Sequence, residues 1–410
     1  MASNASSNAL KIIFTAMAFS LGFAEFVLIG IVPDVAESLG EPVTRIGDIV
    51  GFYALACAVA TPVLALLGGR LGQKRLALVL LCVFDAANLL VFFADTYPVL
   101  LASRMGAACT SGTLLAIILA LAPDVVGRDR AGSLVALVLA GFSVSSVVGV
   151  PLGTLLSDAF MWKAAYVAVF ICGLISSVLL TATFPKKEAG ASVGEPQTST
   201  TSQVRILTDR RVILNALMIL ATAAGTYVFY TYLTPVLEGV MGFSTAATSV
   251  VLLLVGAACI ASNIVSGKIA DNGGIPKLPL VFGAQMVALA LLFVTPSLGL
   301  IGVANILALG LVMYAMNSSV QMVFQDVARE DYPAAVTFSA SLHPMTFNAG
   351  IAVGSFIGGA VVNSAGLEAT GLVGAVVAGC ALALCLILKR VLAKNDSHAG
   401  ASVPTEMMEA

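Results

Sequence analysis

The sequence predicts an all-α polytopic membrane protein, with twelve transmembrane helices in two pseudo-symmetric six-helix bundles. Three observations predict it. The 410-residue chain is 59% hydrophobic and only 10% charged, where a soluble domain is about 45–50% apolar and about 25% charged. Apolar runs long enough to cross a bilayer recur along its whole length. The second half repeats the first at a nearly constant spacing.

Taken in order, the spans fall at roughly 11–33, 45–68, 76–95, 98–122, 131–156, 163–184, 211–236, 245–267, 278–295, 299–323, 335–362 and 368–390. Residues 1–10 form a short polar tail, and the run after them is too long for a signal-peptide core, so it is read as a retained span. Residues 185–210 are the one long polar, low-complexity stretch, a linker between bundles 11–184 and 211–390, and 391–410 is a second tail.

Basic residues set the orientation. With both termini cytoplasmic, 17 of the 20 Lys and Arg fall on the inner side. Only Arg45 and Lys163 fall outside, and Arg104 lies within a span. The expected location is therefore a plasma membrane, the inner membrane of a bacterium, with the termini and linker inside.

The repeat has an offset of 202 residues. Pro33 falls on Pro235, Gly40 on Gly242, Ala56-Cys57 on Ala258-Cys259, Gly72 on Gly274 and Asp124-Val125 on Asp326-Val327. After a slip of three, Gly149 and Gly153 fall on Gly354 and Gly358. Two parallel halves with a site between them near the midplane are the plan of an alternating-access transporter.

Other classes are excluded by what the chain lacks. A net charge of −2 leaves no basic surface for nucleic acid. Seven cysteines lie scattered in apolar stretches with no CxxC pair, and two histidines cannot make an HExxH site. No GxxxxGK[ST] loop is present, so the chain has no ATP drive of its own. The expectation is a non-enzyme without cofactor or metal, whose partners are a small-molecule substrate, protons and the lipid bilayer. No protein partner is implied.

Several motifs carry a family resemblance: AEFVLIGIVPDVAESLG in span one, GFYALACAVATPVLALLGGRLGQKR in span two and its loop, RMGAACTSG in span four, GFSVSSVVGVPLGTLL in span five and WKAAYV opening span six. On these the chain resembles the major facilitator superfamily over essentially its whole length. Within it, the chain resembles the drug/proton antiporter group, the bacterial arabinose- and sugar-efflux permeases and their chloramphenicol-exporter relatives. The resemblance implies a latch at GGRLGQKR around Gly72, with Gly69 where the family has Asp. Its second copy, GKIADNGGIPK, retains Asp271. The resemblance also implies that GVPLG, with Gly149, Pro151 and Gly153, is the flexing point of helix five. There the proline removes a backbone bond and the glycines admit a neighbouring backbone. The family pairs Gly directly with Pro, whereas Val150 precedes Pro151 here.

Three ionisable residues stand within the first bundle. Glu25 lies eight residues before Pro33, roughly 12 Å down, Arg104 lies roughly 9 Å below the same surface, and Asp85 roughly 15 Å. A basic residue inside a span costs about 2.5–3.5 kcal/mol and so needs a partner or a wet cavity. On the repeat Glu25 falls on Tyr227, so the second bundle has no matching acid. Burial favours the protonated carboxyl and a nearby arginine the carboxylate. Glu25 is therefore read as a proton carrier with Arg104 as its switching partner, against a fixed structural ion pair between the two. Asp85 is paired with Asn88 one turn on and read as structural first, proton-coupling second.

The substrate cavity is expected along helix ten, where Tyr314, Asn317, Ser318, Gln321 and Gln325 share one face. Tyr227 and Tyr232 of helix seven join it, with Tyr230 facing away, and helix eleven adds His343 and Asn348. Amides, hydroxyls and rings suit an uncharged polyol or an amphipathic aromatic compound, although such stripes also glue helices together. The reading is a proton-driven exporter of small neutral or amphipathic molecules such as sugars or drugs. The alternatives are an uptake symporter of the same fold and, further off, a non-transporting sensor.

Overall fold

A computed structural model describes residues 4–71, 73–121, 128–183 and 204–401. Among them there are helices and no strands. The first bundle comprises α1 (Asn4–Leu39), α2 (Val43–Leu71), α3 (Gln73–Leu90), α4 (Tyr97–Ala120), α5 (Arg128–Ala159) and α6 (Trp162–Thr183). The second comprises α7 (Arg210–Tyr230), α8 (Thr245–Asp271), α9 (Leu278–Leu291), a broken helix α10a (Leu300–Met313) and α10b (Asn317–Asp331), α11 (Val336–Ala365) and α12 (Ala369–Ala401). Among the described residues, eleven helical segments are long and apolar enough to span a bilayer, one of them counting α10a and α10b together; the shorter Ile275–Leu291 stands at the ninth position. Most of the expected linker, together with Gly72, lies outside the described residues.

Two spans differ from expectation. Helix α1 does not stop at Pro33 but carries it inside and ends at Leu39, where Gly40 takes a positive φ of 64°. Gly242, its counterpart in the repeat, takes 70°. Span ten runs on to Asp331 and breaks at Tyr314–Met316, where hydroxyls of α8 take over the freed donors. The Tyr314 N–H donates to Ser262 Oγ at 2.9 Å and the Ser318 N–H to Ser266 Oγ at 2.7 Å. Within a membrane-spanning bundle such a break persists only where neighbours satisfy the backbone.

Each bundle is held by close helix contact. On α5, Gly149 lies against Phe23 and Gly153 against Val27, where an added Cβ would fall 2.8 and 2.6 Å from those side chains. At the start of α7, Asp209 caps the helix through the Arg211 N–H at 2.8 Å. Arg211 in turn binds Asp331 at the end of α10b. Burial would raise the Asp209 carboxyl, but the hydrogen bonds from Arg211 outweigh it and hold the group below its ordinary range.

The bundles meet most tightly away from the end that carries the chain termini. One apolar core runs through the first bundle into Tyr227, Leu233, Val251, Leu309 and Ile351, while a separate core around Phe282, Phe324 and Leu388 fills the second bundle. The distal seam is closed by small residues admitting large ones. Gly47 faces the Tyr232 ring, and a Cβ there would fall 2.6 Å from its hydroxyl. Gly359 faces Asp48, and Phe52 packs edge-on against Phe356 at 5.0 Å. At the rim Thr44 Oγ1 donates to Asn363 Oδ1 at 2.9 Å.

Pro33 contributes a second tie. A proline inside a helix leaves the carbonyl four residues earlier without its donor. That carbonyl belongs to Ile29, and Thr234 Oγ1 of the other bundle donates to it at 2.8 Å.

Filling the Gly47 socket should force this seam apart. In a cysteine-free background, spin labels at positions 44 and 363 should give one short distance in the parent. With Gly47→Val a longer population should dominate, and an unchanged distance would contradict the account.

Candidate functional site

Arg104 is buried, with 1% of its surface exposed, and its guanidinium is fully engaged. Nη2 donates to Asn88 Oδ1 at 2.9 Å, Nε to Ser103 Oγ at 3.2 Å and Nη1 to the Ala24 carbonyl at 3.5 Å. The Tyr166 ring covers it at 4.3 Å, a cation–π contact that repays part of the desolvation. The fixed Glu25–Arg104 ion pair, weighed as the alternative, is not made in this conformation: Arg104 is bound by Asn88, Ser103 and the Ala24 carbonyl instead. The Asp85–Asn88 pair is not made either, since Asn88 accepts from Arg104 and donates to the Phe84 carbonyl at 2.9 Å. Asp85 sits beside Gly173 of α6 with Oδ1 unpartnered.

Glu25 is placed differently. It lines a small cavity between the bundles, with Phe26 and Ile29 of α1, Val50, Tyr53 and Ala54 of α2, Tyr227 of α7 and Ile351 of α11. No hydrogen bond or ion pair from another described residue reaches its carboxyl. Tyr53 is held from behind, its hydroxyl 2.9 Å from Ser111 Oγ. The structure thus separates the charges of the first bundle by role of contact: the arginine is paired inside the bundle, and the carboxylate is unpaired between bundles.

The second bundle supplies the facing wall. Phe347 of α11 is its hub, with ring centroids 6.3 Å from Tyr227, 5.9 Å from Tyr314 and 5.9 Å from His343. Tyr227 is 1% exposed, and its hydroxyl interacts with the Tyr314 side chain. Asn317 opens α10b and donates to Asn263 Oδ1 at 3.1 Å. Gln321, one turn on, is half-buried.

Tyr230 does not face away: its ring lies 5.4 Å from Tyr227, as an i,i+3 pair on a helix must. It is Tyr232 that leaves the face, because α7 ends at Tyr230. Asp271 closes α8 exposed, with no hydrogen-bond partner among the described residues. Pro151 stays inside an unbroken α5.

Sequence reasoning missed Phe347, Asn263, Ser262, Ser266, Tyr53 and Thr234. Ser262, Asn263 and Ser266 had a legible signal, three polar residues within one turn of an apolar span. Phe347 had none, since one more phenylalanine in a membrane helix carries no information.

Comparison with known proteins accords with this architecture. The chain matches the model of the Major Facilitator Superfamily over residues 14–343 and belongs to that family. The uncharacterized MFS-type transporter YtbD of Bacillus subtilis (strain 168) is 31% identical over 357 residues, 87% of this chain and 89% of its own length. A chloramphenicol resistance protein of Streptomyces lividans is 30% identical over 82% of this chain and 85% of its own. A solved bacterial homologue of the human lysosomal transporter Spinster, inward-facing and unoccupied, shares the fold with a TM-score of 0.77. It is 15% identical and covers 96% of this chain and 98% of its own. The chain is a multi-pass membrane transporter of this family.

The two charges should respond differently to removal. Arg104→Ala leaves Asn88 and two further oxygens without their donor and should destabilise the first bundle by about 2–3 kcal/mol. Glu25→Gln breaks no contact and should leave thermal unfolding of the detergent-solubilised protein unchanged or raised. Equal losses from the two substitutions would show that Glu25 is tied into the fold.

Proposed function

We propose that the protein is a proton-coupled antiporter that exports small neutral or amphipathic molecules by alternating access. One observation carries this: Glu25 is a carboxylate without a partner among the described residues, in a cavity between the bundles opposite Tyr227 and Ile351. An ionisable residue inside a membrane span favours function by default, and an unpaired one at a bundle interface is free to exchange its proton as the cleft changes sides. Arg104, whose guanidinium reaches the carbonyl of the residue before Glu25, stands as counter-charge for the ionised form. Asp85, outside the cleft, is the second acid in line.

The excess of basic residues at the end bearing the termini supports a cytoplasmic position for that end, in a plasma membrane. The distal seam then closes the cell-exterior side, and the cleft faces the cytoplasm. Gly149, Pro151 and Gly153, packed on α1 near Glu25, are the flexing point by which α1 and α5 move together. The sequence segments holding Gly72, which lies outside the described residues, and Asp271 are proposed to serve as latches. Tyr227, Tyr314, Asn317, Gln321 and His343 line the substrate side. Chloramphenicol, named in one relative, and small sugars are the first compounds to test.

Everted vesicles with an acid interior provide the test. A compound exported by antiport should discharge the gradient in the parent and not in Glu25→Gln. Equal discharge in both would return Glu25 to a structural role and move the proton to Asp85. Substrate-driven acidification in place of discharge would favour symport.

A further inference from the structure

The wall opposite Glu25 has a chemical polarity that follows from the orientation of its amides. The Cys259 carbonyl can only accept, so Asn263, bonded to it at 3.3 Å, turns its NH2 there. Asn263 Oδ1 then faces Asn317, which must offer its own NH2 at 3.1 Å. Asn317 Oδ1 is left buried with no partner. The same logic fixes Asn348: its NH2 donates to the Pro344 carbonyl at 3.0 Å, leaving Oδ1 buried and unpartnered. Asn348 stands three residues before Ile351, on the helix face that lines the Glu25 cavity. Asn317 follows Tyr314, which packs on the Phe347 ring.

Two acceptors thus stand on α10b and α11, beside the elements that carry the ring cluster, and neither can swap its amide for a donor without breaking the bond behind it. A buried acceptor left unpaired is costly. We propose that this wall recognises hydrogen-bond donors on the ligand. Asn317 and Asn348 accept from hydroxyl or amide N–H groups while a ring of the ligand packs on Phe347 and Tyr227. The transported class is therefore ring-bearing molecules with at least two such donors, and molecules of like shape bearing only acceptors, or an anionic group, are rejected. Asn263 is a positioning residue that fixes the polarity of Asn317. This rests on the cleft being a substrate site, as proposed above.

The test is equilibrium binding to the full chain in nanodiscs, without a pH gradient. The probes are chloramphenicol with its 1,3-di-O-acetyl form, and phenyl β-D-glucoside with its tetra-O-methyl ether. Within a pair that binds, masking the donors should weaken binding about ten- to hundredfold. Asn317→Ala and Asn348→Ala should each weaken the parent probe and leave the masked one unchanged, so that the gap closes. Asn348 bonds only within its own helix, so its removal orphans no other side chain. Asn263→Ala should narrow the gap while retaining binding, because the Asn317 amide is then free to turn. Equal binding of parent and masked probes, equal weakening of both by the variants, or binding by neither parent would overturn the proposal. Donor-selective binding in a protein whose substrates move no protons would leave it standing and overturn antiport alone.

Discussion

Inside a bundle as thick as a bilayer, a polar group must find its partner within the protein, because neither lipid nor bulk water will supply one. This constraint sorts the interior of the molecule. Arg104 meets it with Asn88, Ser103, a backbone carbonyl and the Tyr166 ring. The carbonyl freed by Pro33 meets it through Thr234, and the broken helix ten through Ser262 and Ser266. A buried amide between two hydroxyls does the same between α7 and α9, where Gln285 accepts from Thr222 Oγ1 and donates to Thr226 Oγ1 at 2.6 Å each. Some buried polar atoms do not meet it: Asp85, Tyr166 and Asn215 each keep one unpartnered within the bundles, as do Asn317, His343 and Asn348 of the second bundle.

The position of Glu25 links the fold to the proposed transport cycle. Ile29, whose carbonyl ties the bundles together through Thr234, lies one helical turn from Glu25 and lines the same cavity. A change of charge at Glu25 therefore acts next to a bond that holds the distal seam. In the proposed cycle, opening that seam would break the bond and expose the carboxylate to the other side of the membrane. With the proposed ligand wall on the second bundle and the proposed proton site on the first, rocking one bundle against the other would change the surroundings of both at once.

The sequence disclosed most of the architecture and only part of the site. Composition, span length and the 202-residue repeat were enough for twelve spans in two halves, because hydrocarbon thickness and burial act on averages over many residues. Gly40 and Gly242 show how far the repeat reaches, since both adopt the same left-handed turn. Glu25 and Arg104 were legible because a charge in an apolar run stands out. Their partners were not: Asn88 was assigned to Asp85, its neighbour on one helix, whereas the structure gives it to Arg104 on another. Depth along a helix can be counted from sequence, but rotation about its axis relative to a neighbour cannot, and rotation decides which side chains meet. The break in helix ten was hidden for a related reason. YAMNSS contains neither Pro nor Gly, and the break is stabilised by serines supplied from α8.

In the proposed antiport, the proton on Glu25 and the ligand compete through one cleft. The most direct test of that competition is proton release on ligand binding, with purified protein in weakly buffered detergent solution and a pH-indicating dye. The account predicts that a bound substrate displaces protons from the parent protein, and that Glu25→Gln binds the same ligand with no release. Equal release from both proteins would place the proton elsewhere and contradict it.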